Sequence, residues 1–182
     1  KSIECRSTCK NFTTIDGALF SKDGTELVFC PADKVAEVYT VPAEVRKIGD
    51  YSFKDNVGVK SVVFADADKD LEIGQYAFQN SSIESVTLPD RLVSIALYAF
   101  SGCASLKTVT FGDSCKLSTI GDRAFEKCAS LTEISIPDLT TSIGIYAFSE
   151  CSLLKNVNFS ENSQLINIGQ NAFRSCAALV EF

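Results

Sequence analysis

The 182-residue sequence contains no methionine, no tryptophan and no histidine. Without histidine, Ser-His-Asp and Cys-His nucleophilic systems and histidine-bound metals are excluded. Without methionine the chain has no native start residue, so we expect it to begin downstream of one. No apolar run approaches the ~18 residues that a membrane helix needs. Residues 1–16 lack the apolar centre of a secretory signal, so we expect any targeting peptide to be removed or to lie upstream.

Positive charge is also scarce. Lysine and arginine number 17 against 23 aspartate and glutamate residues, which gives a net charge of −6. A nucleic-acid surface needs clustered basic residues, because phosphate contacts dominate that affinity. No stretch holds the roughly four to eight basic residues of an anionic-membrane contact. We therefore predict no nucleic-acid partner and no direct membrane insertion.

The sequence does contain an internal repeat of 22 to 25 residues, in which a phenylalanine follows Ala or, once, Ser. An isoleucine stands five residues before each phenylalanine, and glycine follows it in five of six copies, with Ala96 as the exception. A cysteine stands three residues after the phenylalanine in the last four copies. The columns are Phe53, Phe78, Phe100, Phe125, Phe148 and Phe173; Ile48, Ile73, Ile95, Ile120, Ile143 and Ile168; and Cys103, Cys128, Cys151 and Cys176. A unit this short cannot bury its own apolar face, so the repeat predicts a stacked solenoid.

Each repeat contains two patterns of apolar spacing. Ile120, Ala124, Phe125 and Cys128 lie at i, i+4, i+5 and i+8, which indicates one face of a short helical turn. The segment Leu-x-x-Val-x-Phe at residues 106–111 places its last two apolar residues two apart, as the inward positions of a strand do. The repeat therefore predicts an α/β solenoid with one short strand and one helical turn per unit.

The region before the array predicts a β-hairpin. Apolar runs at residues 18–21 and 26–29 flank Lys-Asp-Gly-Thr, and Asp-Gly is a turn signal because glycine tolerates positive φ. We expect an N-terminal cap over residues 1–35 and an array of about six repeats over residues 36–182. Residues 179–182 open a strand without a polar capping unit, so we expect a truncated array. We expect a monomer, with end-to-end contact through that uncapped end as the alternative.

The whole unit, L-x-x-[VI]-x-[FLI] followed by I-G-x-x-A-F-x-x-C, resembles the repeat of BspA-like leucine-rich-repeat proteins, the Treponema-type class. The resemblance runs from about residue 36 to residue 182, and departs in the first copies, where Asn56 and Ser81 replace cysteine. It implies a right-handed superhelix with strands on the concave side and helical turns opposite. It also implies an extracellular or cell-surface protein, because members of this family are commonly bacterial or protist surface proteins.

In a leucine-rich-repeat solenoid, the residues between the inward strand positions face the concave sheet. They form the candidate binding face here, and they are small, mostly polar and poor in the Tyr, Trp and Arg that carry interface energy. The residues are Ser61, Val63, Ser85, Thr87, Thr108, Thr110, Glu133, Ser135, Asn156 and Asn158. We expect a protein or glycan ligand on this face.

Catalytic and metal-binding motifs are absent from the sequence. Asp66, Asp68 and Asp70 have the spacing of a calcium loop, but the required glycine and distal glutamate are missing, so we interpret them as a solvated loop. We predict a non-enzymatic interaction or adhesion module without cofactor or metal. A structural spacer without a ligand, or an intracellular scaffold, are the alternatives.

The sequence contains eight cysteines, four of which belong to the repeat. We interpret these four as buried thiols that act as small apolar side chains, because parallel, inward-pointing side chains disfavour bridges between copies. Caps of extracellular solenoids are often stapled, and on that analogy we expect a disulfide from Cys5 or Cys9 to Cys30. Cys115 lies in a polar loop, and we expect it to be exposed.

Overall fold

The computed structural model of the chain describes residues 4–5, 8–32 and 37–180, and these residues form strands and turns without any helix. No helix of the length and apolarity needed to cross a bilayer therefore occurs in this part of the chain. The strands are β1 (Phe12–Ile15), β2 (Ala18–Ser21), β3 (Glu26–Phe29), β4 (Val38–Val41), β5 (Lys47–Ile48), β6 (Ser61–Phe64), β7 (Leu71–Ile73), β8 (Ser85–Leu88), β9 (Leu92–Ile95), β10 (Thr108–Phe111), β11 (Thr119–Ile120), β12 (Glu133–Ser135), β13 (Ser142–Ile143), β14 (Asn156–Asn158) and β15 (Asn167–Ile168).

From β4 onward the strands alternate between two parallel sheets, so each turn of the chain contributes one strand to each sheet. The first sheet holds β4, β6, β8 and β10 in that spatial order, and the pair β12–β14 lies next to β10. The second sheet has the order β1-β2-β3-β5-β7-β9-β11-β13-β15. The chain is therefore a β-solenoid of about six turns, as the repeat predicts.

The core of the solenoid lies between the two sheets and is formed by the repeat columns. Phe53, Phe78, Phe100, Phe125 and Phe148 are buried, and with Phe173 they form one continuous stack. Ring centroids of neighbouring turns are 4.7 to 5.3 Å apart. This distance is close to the ~4.8 Å between hydrogen-bonded strands. The aromatic stack and the two sheets therefore advance in step along the solenoid.

The predicted helical turns are wrong, and the prediction of one strand per repeat is incomplete. Ile120 is the last residue of β11 in the second sheet, so it does not begin a helical segment. Ala124, Phe125 and Cys128 follow in tight turns, with positive φ at Arg123 (55°) and Lys127 (63°). A left-handed residue interrupts a right-handed helix. Positive φ recurs two residues before and two residues after each phenylalanine of the repeat.

The turn segments form no helix because their backbone donors bond to the next turn of the solenoid. Arg123 N–H donates to Ile145 O at 2.9 Å, and Phe125 N–H donates to Ala147 O at 2.7 Å. The equivalent residues of other turns make the same bonds. A helix within so short a segment would be unstable, since nucleation is costly and isolated helices shorter than ~12 residues are marginal. Bonding to the neighbouring turn satisfies the same donors.

The N-terminal hairpin lies where the sequence places it. β2 and β3 pair antiparallel, and Gly24 adopts a φ of 74° in the turn between them. β3 also pairs in parallel with β5, which sets Leu27 beside Ile48 and joins the hairpin to the second sheet. The hairpin thus extends the sheet of the array. The boundary predicted between residues 35 and 36 lies outside the described residues.

Candidate interaction surfaces

The ten residues of the predicted binding face all lie on the outward side of the first-sheet strands. They alternate with buried residues such as Val62, Val86 and Ile134, as period-two patterning requires. Parallel pairing aligns them in rows, for example Thr87 beside Thr110. Two cross-turn hydrogen bonds run within the face, from Ser85 to Ser61 and from Asn158 to Ser135. The sequence therefore identifies which residues share this face, and ligand binding there stays a prediction.

The first sheet is interrupted between β10 and β12. These strands are neighbours, but no ladder of hydrogen bonds joins them, and the sheet continues only as the separate β12–β14 pair. A hollow of about 610 Å³ opens at this place. It is lined by Thr110, Glu133 and Ser135 of the predicted face and by the loops at residues 112–115 and 137–139.

A second hollow of about 570 Å³ adjoins the first at Gly112 and Asp113. It is lined by Val63 and Thr87 of the predicted face and by the loop at residues 66–68. The two hollows together extend from β6 to β12 along the ends of the first-sheet strands, and we call them the groove. Several partly exposed apolar side chains, including Phe64 and Phe111, line it.

The exposed charged side chains that line the groove are all acidic. Aspartates occur two residues after the apolar residue that ends each of four consecutive apolar runs, namely Phe64, Leu88, Phe111 and Ile136. Asp68 and Glu133 add two more carboxylates to the groove. We call the four aspartates the acidic column: Asp66, Asp90, Asp113 and Asp138. The basic lining residue, Arg91, is only 4% exposed. Its guanidinium Nη1 donates to Val45 O at 2.8 Å and to Lys69 O at 3.1 Å, beneath the groove surface.

The acidic column was not predicted from the sequence, although its period is visible there. Two of its members also accept hydrogen bonds from the following turn. Asp90 accepts a hydrogen bond from Ser114 N–H at 2.9 Å, and Asp138 accepts one from the Ser160 hydroxyl. Asp66 and Asp113 make no hydrogen bond or ion pair with any described residue, and both are exposed. The column therefore combines structural carboxylates with carboxylates that are open to a ligand.

A second missed column lies two residues before each repeat phenylalanine, at the first left-handed position. Tyr51, Tyr76 and Tyr98 stack there with ring centroids 5.0 Å apart. The Arg123 guanidinium continues the stack, 5.6 Å from the Tyr98 ring and 4.6 Å from the Tyr146 ring. Because neighbouring residues cover the ring faces, the column presents mainly ring edges and hydroxyl groups. It stabilises the stacking of the turns.

The cysteine column is part of the core. Cys103, Cys128 and Cys151 are buried, and Cys176 is partly exposed. Each thiol donates to the carbonyl of the repeat phenylalanine of an earlier turn, for example Cys103 Sγ to Phe78 O at 3.0 Å. Burial raises the pKa of the Cys103 thiol to about 12. Asn56 stands at the same repeat position, and its amide donates to Cys30 O at 2.9 Å.

Two cysteine predictions need correction. Cys115 is buried, with 4% of its surface exposed, because a turn that closes with Cys115 N–H donating to Gly112 O carries the side chain inward. The predicted bridge from Cys5 or Cys9 to Cys30 is not formed, and all eight cysteines are free thiols. Cys30 is buried, which raises the pKa of its thiol to about 12, whereas Cys5 and Cys9 are partly exposed.

The described residues contain no group of three or more Cys, Asp and Glu side chains arranged to hold a metal ion. The loop with calcium-like spacing is exposed, and its Asp70 forms an ion pair with Lys116 at 3.4 Å. This pairing is typical of a solvated loop and is worth little energy at the surface.

A family model described as a BspA type leucine rich repeat region matches residues 71–182 in six copies, which is more than half of the chain. No curated protein matches the chain. Among solved structures, a leucine-rich repeat protein from Eubacterium ventriosum is similar, with a TM-score of 0.80 and 20% identity over 100% of this chain and 54% of that chain. One from Bacteroides ovatus has a TM-score of 0.68 and 33% identity over 78% of this chain and 35% of that chain.

A leucine rich cell surface protein from Faecalibacterium prausnitzii is also similar, with a TM-score of 0.72 and 26% identity. The alignment covers 83% of this chain and 40% of that chain. The present chain therefore spans about half, or less, of these three structures.

Proposed function

The chain belongs to the BspA-type leucine-rich-repeat family, and from this membership we propose that it is a non-enzymatic interaction or adhesion module, carried by a secreted or cell-surface protein. The resemblance inferred from the repeat columns is thereby confirmed. The partner that we propose is a host or matrix protein or a glycan, bound on the first sheet.

The groove is the observation that carries this proposal. It lies where the first sheet is interrupted, and five of the ten predicted face residues line it. Ligand sites are typically concave, with apolar walls and a few polar groups that fix orientation. Hollows of about 610 and 570 Å³ with Phe64, Phe111 and several carboxylates meet that description.

Two further observations support the other parts of the proposal. Leucine-rich-repeat proteins are generally non-enzymatic scaffolds, and a chain without histidine lacks the commonest general base. A location at the cell surface is supported by the family and by the name of the similar Faecalibacterium protein, a leucine rich cell surface protein.

A binding screen with a matched pair of variants tests the proposal. The chain is screened against immobilised extracellular-matrix proteins and glycans, and each ligand found is measured again with Thr110→Arg and with Thr119→Arg. Both threonines are exposed strand residues, Thr110 beside the groove in the first sheet and Thr119 in the second sheet. We expect Thr110→Arg to weaken binding at least about tenfold, because a bulky charge enters the site, and Thr119→Arg to bind like the parent.

The alternative is a structural spacer that has no ligand of its own. It is supported by the chemistry of the predicted face, which is mostly Ser, Thr and Asn and lacks the aromatic and arginine side chains of typical hot spots. A screen without any ligand would favour the spacer. A ligand that tolerates Thr110→Arg would move the site away from the first sheet.

A further inference from the structure

We infer that the groove binds an extended, basic segment of a polypeptide. This inference rests on the proposed function of the first sheet and adds to it the chemical class of the partner. It is carried by three features of the groove: its length across four turns, the sign of its charge and the position of its apolar side chains.

The length of the groove favours a polypeptide over a compact ligand. The groove runs across the strands from β6 to β12, and it is lined by the loops that follow four successive first-sheet strands. A chain bound along it would therefore lie crosswise to the strands. The groove crosses three strand spacings of ~4.8 Å, so a segment of about four or five extended residues at ~3.3 Å each spans it.

The charge of the groove determines the sign of the partner. The acidic column places carboxylates on four successive turns, and like charges on neighbouring strands repel each other. Asp66 and Asp113 have no cationic partner among the described residues. Arg91 is buried beneath the groove, with Nη1 bonded to two backbone carbonyls and Nε and Nη2 without a hydrogen-bond partner. Lysine or arginine side chains of a ligand would relieve this repulsion and would steer the encounter.

The apolar side chains of the groove fit the other face of an extended segment. Val63 and Leu139 line the groove with 37% and 43% of their surface exposed, close to the carboxylates of the loops. Successive side chains of an extended chain point to opposite sides. A segment in which basic and apolar residues alternate can therefore direct its charges to the rim and its apolar residues to the sheet.

The test uses a fluorescein-labelled short peptide of alternating Lys and Val, with a peptide of alternating Glu and Val as its control. Binding is measured by fluorescence anisotropy for the parent chain, for Asp66→Asn/Asp113→Asn, and for the matched variant Glu72→Gln/Glu150→Gln. Glu72 and Glu150 are also exposed but lie outside the groove. Both variants lose two negative charges, and none of the four carboxylates makes a hydrogen bond or ion pair within the described residues, so thermal unfolding should be unchanged.

We expect the groove variant to bind the Lys-Val peptide roughly five- to tenfold more weakly than the parent, the loss expected of two exposed ion pairs. The Glu72/Glu150 variant should change affinity less than about twofold, since it leaves the groove intact. Equal losses in the two variants would mean general attraction to an acidic protein and would overturn the inference. Absence of Lys-Val binding, or equal binding of the Glu-Val peptide, would overturn it as well.

Failure of the inference and failure of the proposed function give different results. Suppose that a screened ligand no longer binds Thr110→Arg but is not displaced from the parent by the Lys-Val peptide. The first sheet is then still the binding face, and only the inferred preference of the groove for basic segments is overturned. A screened ligand that is indifferent to Thr110→Arg, while the peptide still depends on Asp66 and Asp113, contradicts the proposed function alone.

Discussion

Individual residues of the repeat hold the solenoid together mainly through contacts with the next turn. The buried phenylalanines stack on one another, and the cysteine thiols donate to phenylalanine carbonyls of an earlier turn. These carbonyls also accept a backbone N–H from three residues on, for example Cys103 N–H to Phe100 O at 3.1 Å, so each thiol adds a second hydrogen bond as well as filling space. At the same position, Asn56 donates with an amide instead of a thiol. This column therefore requires a small side chain that can donate a hydrogen bond, and both cysteine and asparagine meet that requirement.

Because of the buried thiols, we expect the free energy of unfolding to fall at alkaline pH. Burial raises the pKa of Cys103 from its ordinary value of 9.0 to about 12, so the folded state keeps a proton that the unfolded chain releases. The stabilisation is complete below about pH 9 and is lost as the pH rises toward about 12. We expect the free energy of unfolding in urea to fall between about pH 8 and pH 11, and to fall less steeply in Cys103→Ala. Parallel pH profiles for the two proteins would contradict this.

Strands and turns, as elements, depend on how closely adjacent turns approach. The second-sheet strands have two to four residues, and a glycine follows the repeat isoleucine in five of the six turns. A Cβ at Gly144 would lie 2.5 Å from Asp122 N, so a side chain there requires the backbone to move. The φ of Gly144 is not in the left-handed region, and the requirement for glycine is therefore one of contact distance.

The substitution Gly144→Ala tests this requirement for close approach. We expect it to lower the free energy of unfolding by roughly 1–3 kcal/mol, the usual cost of overpacking. Ala96 stands at the equivalent position of an earlier turn, directly after Ile95. Ala96→Gly is therefore the control, and we expect it to lower the free energy of unfolding by less than about 1 kcal/mol. Urea denaturation measures both. Equal effects would show that space in this column does not limit the stacking of the turns.

In the molecule as a whole, each turn contacts chiefly its neighbours, so stability is the sum of turn and interface contributions. Burial along the described residues is uneven. The repeat isoleucine is buried in β11 and β13, whereas Ile168 in β15 is 44% exposed. The cysteine of that turn, Cys176, is also less buried than the others. Local opening of this chain should therefore start at β15.

Hydrogen exchange measured on this chain tests the order of opening. We expect the amides of β15 to exchange faster than those of β11 and β13, because fewer buried apolar contacts must be broken to expose them. The buried β11 amides serve as the internal reference. Slowest exchange in β15 would contradict the prediction, and one uniform rate in all three strands would indicate that the solenoid opens only as a unit.

The buried columns and the predicted face could be identified from the sequence, because the pattern of buried residues has the same period as the sequence repeat. The helical turn was wrong for a physical reason. Ile120, Ala124, Phe125 and Cys128 are spaced as on a helix, but consecutive turns can bury the same residues. The two conformations differ in φ at Arg123 and Lys127 and in the acceptors of their backbone donors, neither of which apolar spacing reports.

Only part of the groove could have been predicted from the sequence. The acidic column could have been found from its period, since each aspartate stands two residues after an apolar residue that recurs with the repeat. The hollows could not, because they depend on the missing ladder between β10 and β12 and on how loops from different turns stack.

By itself, the sequence determined that this chain is a stacked repeat and which side chains face inward, because a 23-residue unit must bury its apolar residues against its copies. Only the tertiary structure decided that the phenylalanine segments are turns, that Cys115 points inward, and that the carboxylates line one groove. These three features depend on hydrogen bonds and contacts to the adjacent turn. A residue's partners there lie some 22 to 25 positions away along the chain, beyond the reach of local patterns.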